Sequence, residues 1–294
     1  VDVAAYLTEQ SGIIERALQE LAVVPRHAPQ SLREAMEYSL FSAGKRIRPA
    51  LAMAACDAAG GDRTLVLTFA CAIEMIHTYS LIHDDLPSLD NDDLRRGKPT
   101  CHKVFDEATA VLAGDALLTE AFRVMADPGL TRGVSPAKTR KIIWEIAKAA
   151  GADGMVGGQA MDVLYDGKEG SKRVLGYIHT HKTAALIRVS VVAGALVGGA
   201  KGAQLKKFKE YGESIGLAFQ IMDDLLDVTG DEGKVGKKLR KDENKQTYIM
   251  HYGIEASQKR LTALVAKAVY SLGFLGERRQ TLVSLAEFIG NRVL

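Results

Sequence analysis

Cysteine is scarce and poorly placed for pairing. Cys56, Cys71 and Cys101 are odd in number and form no C-x-x-C. That argues against a disulfide framework or a zinc knuckle and points to a reducing, cytoplasmic setting. Excess charge of one sign is also missing. The net charge is +2, from 38 basic and 36 acidic residues, so no global field exists to hold nucleic acid and any anion site must come from local clustering. The longest strongly apolar uncharged run is Val189 to Ala200, well short of the ~20 residues of a membrane span. Val1-Asp2-Val3 lacks the basic-then-apolar order of a signal peptide, and the absent initiator Met is compatible with earlier removal of a targeting segment. Alternating strand patterns are nearly absent, and the seven prolines lie mostly near expected helix ends. There is no G-x-S-x-G, and no cysteine has an obvious histidine partner, so covalent catalysis has no candidate nucleophile.

What remains is helical. Hydrophobic residues make up 47% of the chain, enough for a buried core. Ser31 with Glu34 reads as a capping box and Gly44 as the stop after it, while Ser135-Pro136 opens a helix that Gly151 closes. Residues 2–21, 63–86, 109–126, 171–197, 203–228, 253–272 and 276–293 favour helix over strand, with loops over 22–30, 87–100, 127–134, 166–170 and 229–246. Without repeats or linkers, the expectation is an all-α single-domain bundle over residues 1–294.

Two acidic clusters stand out. In Asp223-Asp224-Leu225-Leu226-Asp227, Asp223 and Asp227 fall one turn apart on one helix face and repel unless a cation intervenes. The preceding segment is apolar, so burying them calls for compensation, and hard divalent cations supply it. A solvated acidic helix end is the competing reading. In DDLPSLD, residues 84–90, Pro87 disfavours helix at Leu86, so the helix ends near Asp85 and the loop can return Asp90 toward Asp84. Arg95 and Arg96 follow, and carboxylates for metal beside arginines for phosphate are the makings of a diphosphate site. GKRIRP, residues 44–49, adds a compact metal-free anion site. An ordinary charged surface loop competes at both places.

Taken in order, GKRIRP, EMIHTYSLIHDDLPSLDNDDLRRGKPT, GGQAMD, HKTAAL and FQIMDDLLDVTGD resemble the motifs of the trans-isoprenyl diphosphate synthases, over almost the whole chain. The resemblance is nearest to short-chain bacterial enzymes. It implies a bundle of long antiparallel helices around a central cavity, usually in a homodimer, with magnesium and two substrates, isopentenyl diphosphate and an allylic diphosphate. It implies Asp84, Asp90 and Asp223 as metal ligands, with Asp85, Asp224 and Asp227 supporting or sharing that role. Lys45, Arg48, His77 and Arg96 are implied at the isopentenyl diphosphate, and Arg95, Lys182 and Lys237 at the allylic diphosphate. Thr183 and Gln220 lie where such enzymes position the reacting carbons, with Gln159 and Asp162 of GGQAMD as further candidates. After Gly236 the sequence departs from the family at Lys238 and Arg240, which leaves Lys234, Lys237 and Lys238 as alternatives for the phosphate contact. Segment 229–246 is the expected cover over the phosphates.

Ser80 lies four residues before Asp84, hence about 6 Å deeper on the same face, and Tyr79 one residue deeper still. An aromatic residue there resembles farnesyl diphosphate synthases; a small one is more like geranylgeranyl diphosphate synthases. Other classes make distinct demands. A di-iron bundle needs two E-x-x-H motifs, of which Glu74 to His77 supplies one. A class I terpene cyclase would not need GKRIRP, and a noncatalytic partner subunit would tolerate damaged aspartate motifs.

Overall fold

A computed structural model describes residues 1–21, 24–229 and 245–291. Lys234, Lys237, Lys238, Arg240 and the expected cover segment fall outside them, apart from that segment's ends. The chain is all-α, as expected. In order it runs α1 (Val3–Glu20), α2 (Gln30–Leu40), α3 (Ile47–Ala59), α4 (Leu67–Asp84), α5 (Cys101–Val104), α6 (Glu107–Ala126), α7 (Pro136–Ala150), α8 (Met155–Leu164), α9 (Lys172–Ile178), α10 (Ala185–Val197), α11 (Gly202–Thr229), α12 (Tyr248–Ser271) and α13 (Gln280–Gly290). A two-stranded antiparallel hairpin, β1 (Leu94–Arg95) with β2 (Lys98–Pro99), interrupts the helices.

Local signals set many of these ends. Asp106 accepts from the Thr109 amide at 2.7 Å to start α6, and Thr247 accepts from the Met250 amide at 3.2 Å to start α12. Ser135 caps α7 with Pro136 in its first turn, and Gly151 ends it. The capping box at Ser31 does not form. Pro29 is already the cap of α2, so Ser31 lies inside the helix and Glu34 accepts instead from the Gln30 side chain at 2.8 Å. α2 also stops at Leu40, before Gly44. Residues 155–164 form a helix that periodicity did not reveal, and the long helix expected over 171–197 is broken by a π-helical turn at His179–Ala184. α12 starts before Gly253, which becomes a kink inside it, and α13 is shorter than 276–293 because residues 273–279 are 3₁₀.

α4 lies at the centre, with Phe69, Ile73, Met75 and Ile76 fully buried against α1, α2, α6, α7 and α10. A second cluster centres on Tyr211 and Phe208 between α3, α10, α11, α12 and α13. Each such side chain contributes roughly 1.5–3 kcal/mol through removal from water. The spans Arg63–Asp84 and Lys172–Val197 are long and apolar enough to cross a membrane, but an apolar 18-residue window in each is 72% buried within the fold, as expected of core helices. This core holds the ends of α4 and α11 in fixed positions on either side of a cavity.

Candidate active site

The first acidic motif is a helix end with a return. α4 finishes at Asp84, and the following chain folds back so that the Asp90 amide donates to the Asp84 carbonyl at 2.8 Å. The Asn91 and Asp92 amides donate to Leu86 and Asp85 carbonyls at 3.1 and 3.2 Å. These bonds satisfy carbonyls that a helix end leaves open. Beyond them, Arg96 and Gly97 are the two central residues of the β1–β2 turn, with φ of 54° and 76°. A tight hairpin turn of this hand requires φ above zero at both positions, so Arg96 carries strain that glycine would not. The turn aims neighbouring arginines oppositely. Arg95 forks onto Asp85, with Nε at 2.8 and 2.9 Å from the carboxylate oxygens, while Arg96 donates to the Ala43 carbonyl at 2.6 Å.

A cavity of about 740 Å³ opens beside this motif. Asp84, Arg95, Arg96, Lys182, Thr183 and Asp223 line it, so both acidic motifs and the HKTAAL lysine face one space. Arg48, His77 and Gln159 join them, with Tyr79 and Ser80 deeper along α4. Lys45 lines an adjoining compartment together with Arg48, His77 and Arg96. Arg46, the middle of GKRIRP, and Glu74 border the same compartment, but Arg46 is turned inward. Its buried guanidinium donates to Glu74 at 2.7 Å and to the Leu40 carbonyl at 2.7 Å, which also removes Glu74 from any E-x-x-H metal motif.

The charges are deliberately unequal. Burial pushes Asp84 up to about 6, only partly offset by Lys182. Burial also opposes Asp90, but there Lys245 and Lys182 outweigh it and hold the carboxyl below its ordinary value. Lys245 Nζ stands 3.0 Å from Asp90 Oδ1. Burial works against both members of the Arg95–Asp85 pair. It is outweighed at Arg95, held above its ordinary value by Asp85, but not at Asp85, which ends above its own. Burial, then Arg48, Arg96, Arg95 and Arg46, drives His77 well below its usual value, so His77 is neutral and offers a hydrogen bond, not a charge.

In the second motif the three aspartates have different surroundings. Asp223 faces the cavity. Asp224 is buried, accepting from Gln220 Nε2 at 2.9 Å and from the Tyr248 amide at 2.7 Å. Gln220 Oε1 in turn accepts from Thr183 Oγ1 at 2.6 Å, so a line of bonds runs from the cavity wall to the start of α12. Asp227 is buried, and its Oδ1 has no hydrogen-bond partner among the described residues. Lys182 and Thr183 both lie in the π-helical turn, a form that recurs at functional sites. Lys182 pairs with Asp162 at 2.6 Å. Its backbone presses so closely on Gly158 that any side chain there would collide with it, which accounts for the second glycine of GGQAMD.

These residues fit magnesium. Among the described residues no three His, Cys, Asp or Glu side chains gather to cage an ion. Magnesium characteristically takes one or two carboxylates and completes its shell with phosphate and water. A carboxyl raised to about 6 at Asp84 and an orphaned oxygen at Asp227 are both relieved by a nearby cation. Two residues escaped the sequence reading. Lys245 falls at the end of the segment expected as a loop, although its place just before a Thr cap fixes it at a helix mouth. His83, edge-on to Tyr79 at 5.7 Å and bonded to the Val111 carbonyl at 3.0 Å, looked like one more residue of an apolar helix.

A helical bundle whose cavity is lined by two groups of carboxylates and by arginines and lysines carries the side chains that holding magnesium and a diphosphate would require. The chain belongs to the polyprenyl synthetase family, which matches residues 29–271, and is a prenyltransferase of that family. It is 48% identical over 263 residues to a farnesyl diphosphate synthase of Geobacillus stearothermophilus, covering 89% of this chain and 88% of that one. It is 45% identical over 295 residues to a chloroplastic geranylgeranyl pyrophosphate synthase of Catharanthus roseus, covering 99% and 82%. The crystal structure of an FPP/GFPP synthase from Zymomonas mobilis matches with a TM-score of 0.88 at 37% identity, over 99% of both chains.

Proposed function

We propose that this chain condenses isopentenyl diphosphate head-to-tail with dimethylallyl and geranyl diphosphates, giving farnesyl diphosphate and inorganic diphosphate. The carrying observation is the single cavity faced by both acidic motifs, Lys182 and Arg95, with Tyr79 below them. Asp84, Asp90 and Asp223 would hold magnesium, with Asp85, Asp224 and Asp227 supporting. Bound magnesium supplies neutralisation of the leaving diphosphate. Lys182, Arg95 and Lys245 add positive charge at the same place, so the allylic C–O bond breaks and the diphosphate leaves with the electron pair. Lys237 remains a candidate contact outside the described residues. Lys45, Arg48, Arg96 and neutral His77 seat isopentenyl diphosphate with its double bond toward the allylic carbon. That bond attacks the cation, a new C–C bond forms, and the proton then lost goes to the departed diphosphate. Thr183, held by Gln220, borders the reacting carbons. The apolar walls exclude water that would quench the cation.

Product length rests on Tyr79. Its ring is buried, and burial pushes the phenol up to about 12, so it stays neutral. Tyr79→Ala is expected to shift the main product from fifteen carbons to twenty or more, read by chromatography of dephosphorylated products. A mutant that stops at the wild-type length removes Tyr79 as the floor. A wild type that itself makes twenty carbons supports the geranylgeranyl alternative, as the similarity to plant enzymes would suggest. Release of diphosphate without chain extension would instead indicate a cyclase or hydrolase, and no turnover a noncatalytic subunit.

The domain is proposed to span residues 1–294, since α1 packs into both apolar clusters and α13 into the second, together with the central helices. A homodimer is proposed as well, supported by exposed Val104, Val111 and Leu112 on α5 and α6. Sedimentation equilibrium giving a monomer mass would refute it. Three unpaired buried cysteines support the cytoplasmic assignment.

A further inference from the structure

Gln246 is an anomaly outside the roles assigned so far. It stands directly before the Thr247 cap of α12, yet it is only 3% exposed. Its side chain points away from the cavity into the turn between α8 and α9. There Nε2 donates to the Lys168 carbonyl at 2.7 Å and lies 3.5 Å from the Tyr165 carbonyl. His251 Nε2 meets Gln246 Oε1 at 3.0 Å from one turn further along α12. Gly170 makes room for this amide, because a side chain there would overlap the Gln246 carboxamide. A buried primary amide with both ends engaged is a costly group to misplace, so it fixes backbone position more firmly than an apolar residue of its size.

Other contacts brace the same short segment. Asp224 holds the Tyr248 amide at 2.7 Å. The Tyr248 ring packs on His179 at 5.3 Å and stacks on Tyr252 at 5.1 Å, and Lys172 sits 4.6 Å over Tyr252. The residue immediately before Gln246 is Lys245, whose ammonium stands 3.0 Å from Asp90, a carboxylate of the first acidic motif. A lysine side chain is long and flexible, so its charge is delivered to one place only if its backbone is held.

We propose that Gln246 is a positioning residue for the diphosphate site: by locking the start of α12 onto the 165–170 turn, it fixes where Lys245 delivers its charge beside Asp90. The proposal rests on the diphosphate-binding reading above. It predicts coupling between two residues that point in opposite directions.

The test measures binding of inorganic diphosphate with saturating magnesium by titration calorimetry, on full-length wild type, Lys245→Met, Gln246→Ala and the double variant. Lys245→Met is expected to weaken binding about tenfold and Gln246→Ala about three- to fivefold. The double variant should match Lys245→Met alone. Gly170→Ala, which evicts the amide from the other side, should reproduce Gln246→Ala and add nothing to it. Steady-state kinetics should place the effect of Gln246→Ala in the KM for geranyl diphosphate, with the KM for isopentenyl diphosphate unchanged. Multiplicative losses in the double variant, an unchanged diphosphate affinity in Gln246→Ala, or an equal rise in both KM values would each overturn the proposal. Should wild type bind diphosphate with this coupling but fail to extend a prenyl chain, the functional reading falls and the positioning role stands. No diphosphate binding by wild type overturns both.

Discussion

Replacing Asp84 by Asn is expected to cut turnover about 10³-fold while making the magnesium-free protein more stable than wild type. The two effects share one cause. Asp84 ends α4 with its carboxylate in a largely desolvated position, and a negative charge at a helix C-terminus also opposes the helix dipole. Its carboxyl lies at about 6 in the fold against 3.8 for the ordinary side chain. Between those values the unfolded chain has released a proton that the folded chain keeps. Stability from this group therefore falls as pH rises from about 4 to about 6, and stays at its lowest above that. At about 1.4 kcal/mol per unit, discounted for residual solvent contact, the charge costs about 2 kcal/mol at neutral pH. Asn keeps the shape and removes the charge. Chemical denaturation with chelator present should show the Asn variant ahead by about that amount near pH 7, with the gap closing toward pH 4. An Asn variant less stable than wild type at neutral pH, or one with full turnover, would sink this account.

The second large effect is at Lys182. Its ammonium pairs with Asp162 at 2.6 Å, and the aspartate side chain is only 8% exposed. Lys182→Ala leaves that carboxylate buried without its partner, which costs about 3 kcal/mol. It also removes a cation from the place where leaving-group charge develops, for a further loss of about 10²- to 10³-fold in kcat. The two losses separate in a double variant. Adding Asp162→Asn should restore most of the stability and none of the turnover. Recovery of activity in the double variant would show that Lys182 serves only to neutralise Asp162. Persistent instability would show that the lysine stem, not the ion pair, holds α8 to the π-helical turn.

Why so much of this site was legible in sequence, and some was not, follows from the range of the forces involved. The pair Asp223 and Asp227, and the break at Pro87, depend on spacing within one turn, and local geometry is what sequence encodes directly. Residues 155–164 were missed because Gly157 and Gly158 are poor helix formers, and the helix exists through its packing against the π-helical turn. The β1–β2 hairpin was read as loop because the first of its two left-handed residues is an arginine, where Asn, Asp or Gly usually announces such a turn. The Ser31 box failed because a cap competes with whatever precedes it, and Pro29 preceded it. Pairings such as Lys245 with Asp90 join residues 155 positions apart, a relation no local pattern carries.

The π-helical turn at His179–Ala184 has a consequence for chain length itself. An α-helix advances about 100° per residue, and a π turn absorbs one surplus residue without changing the axis. It acts as a phase shifter: α9 and α10 each keep the face their neighbours require, while Lys182 and Thr183 are aimed independently between them. Deleting one residue in this stretch would let a continuous α-helix form, which is locally the more favourable state. Because the turn takes up the surplus residue, the flanks would stay in phase, and the lysine and threonine would swing by about a quarter of a revolution. The spacing between Ser171 and Val197 is thus set by where two side chains must point, and a shortened chain could gain a straighter helix while losing the pairings of Lys182 with Asp162 and Thr183 with Gln220.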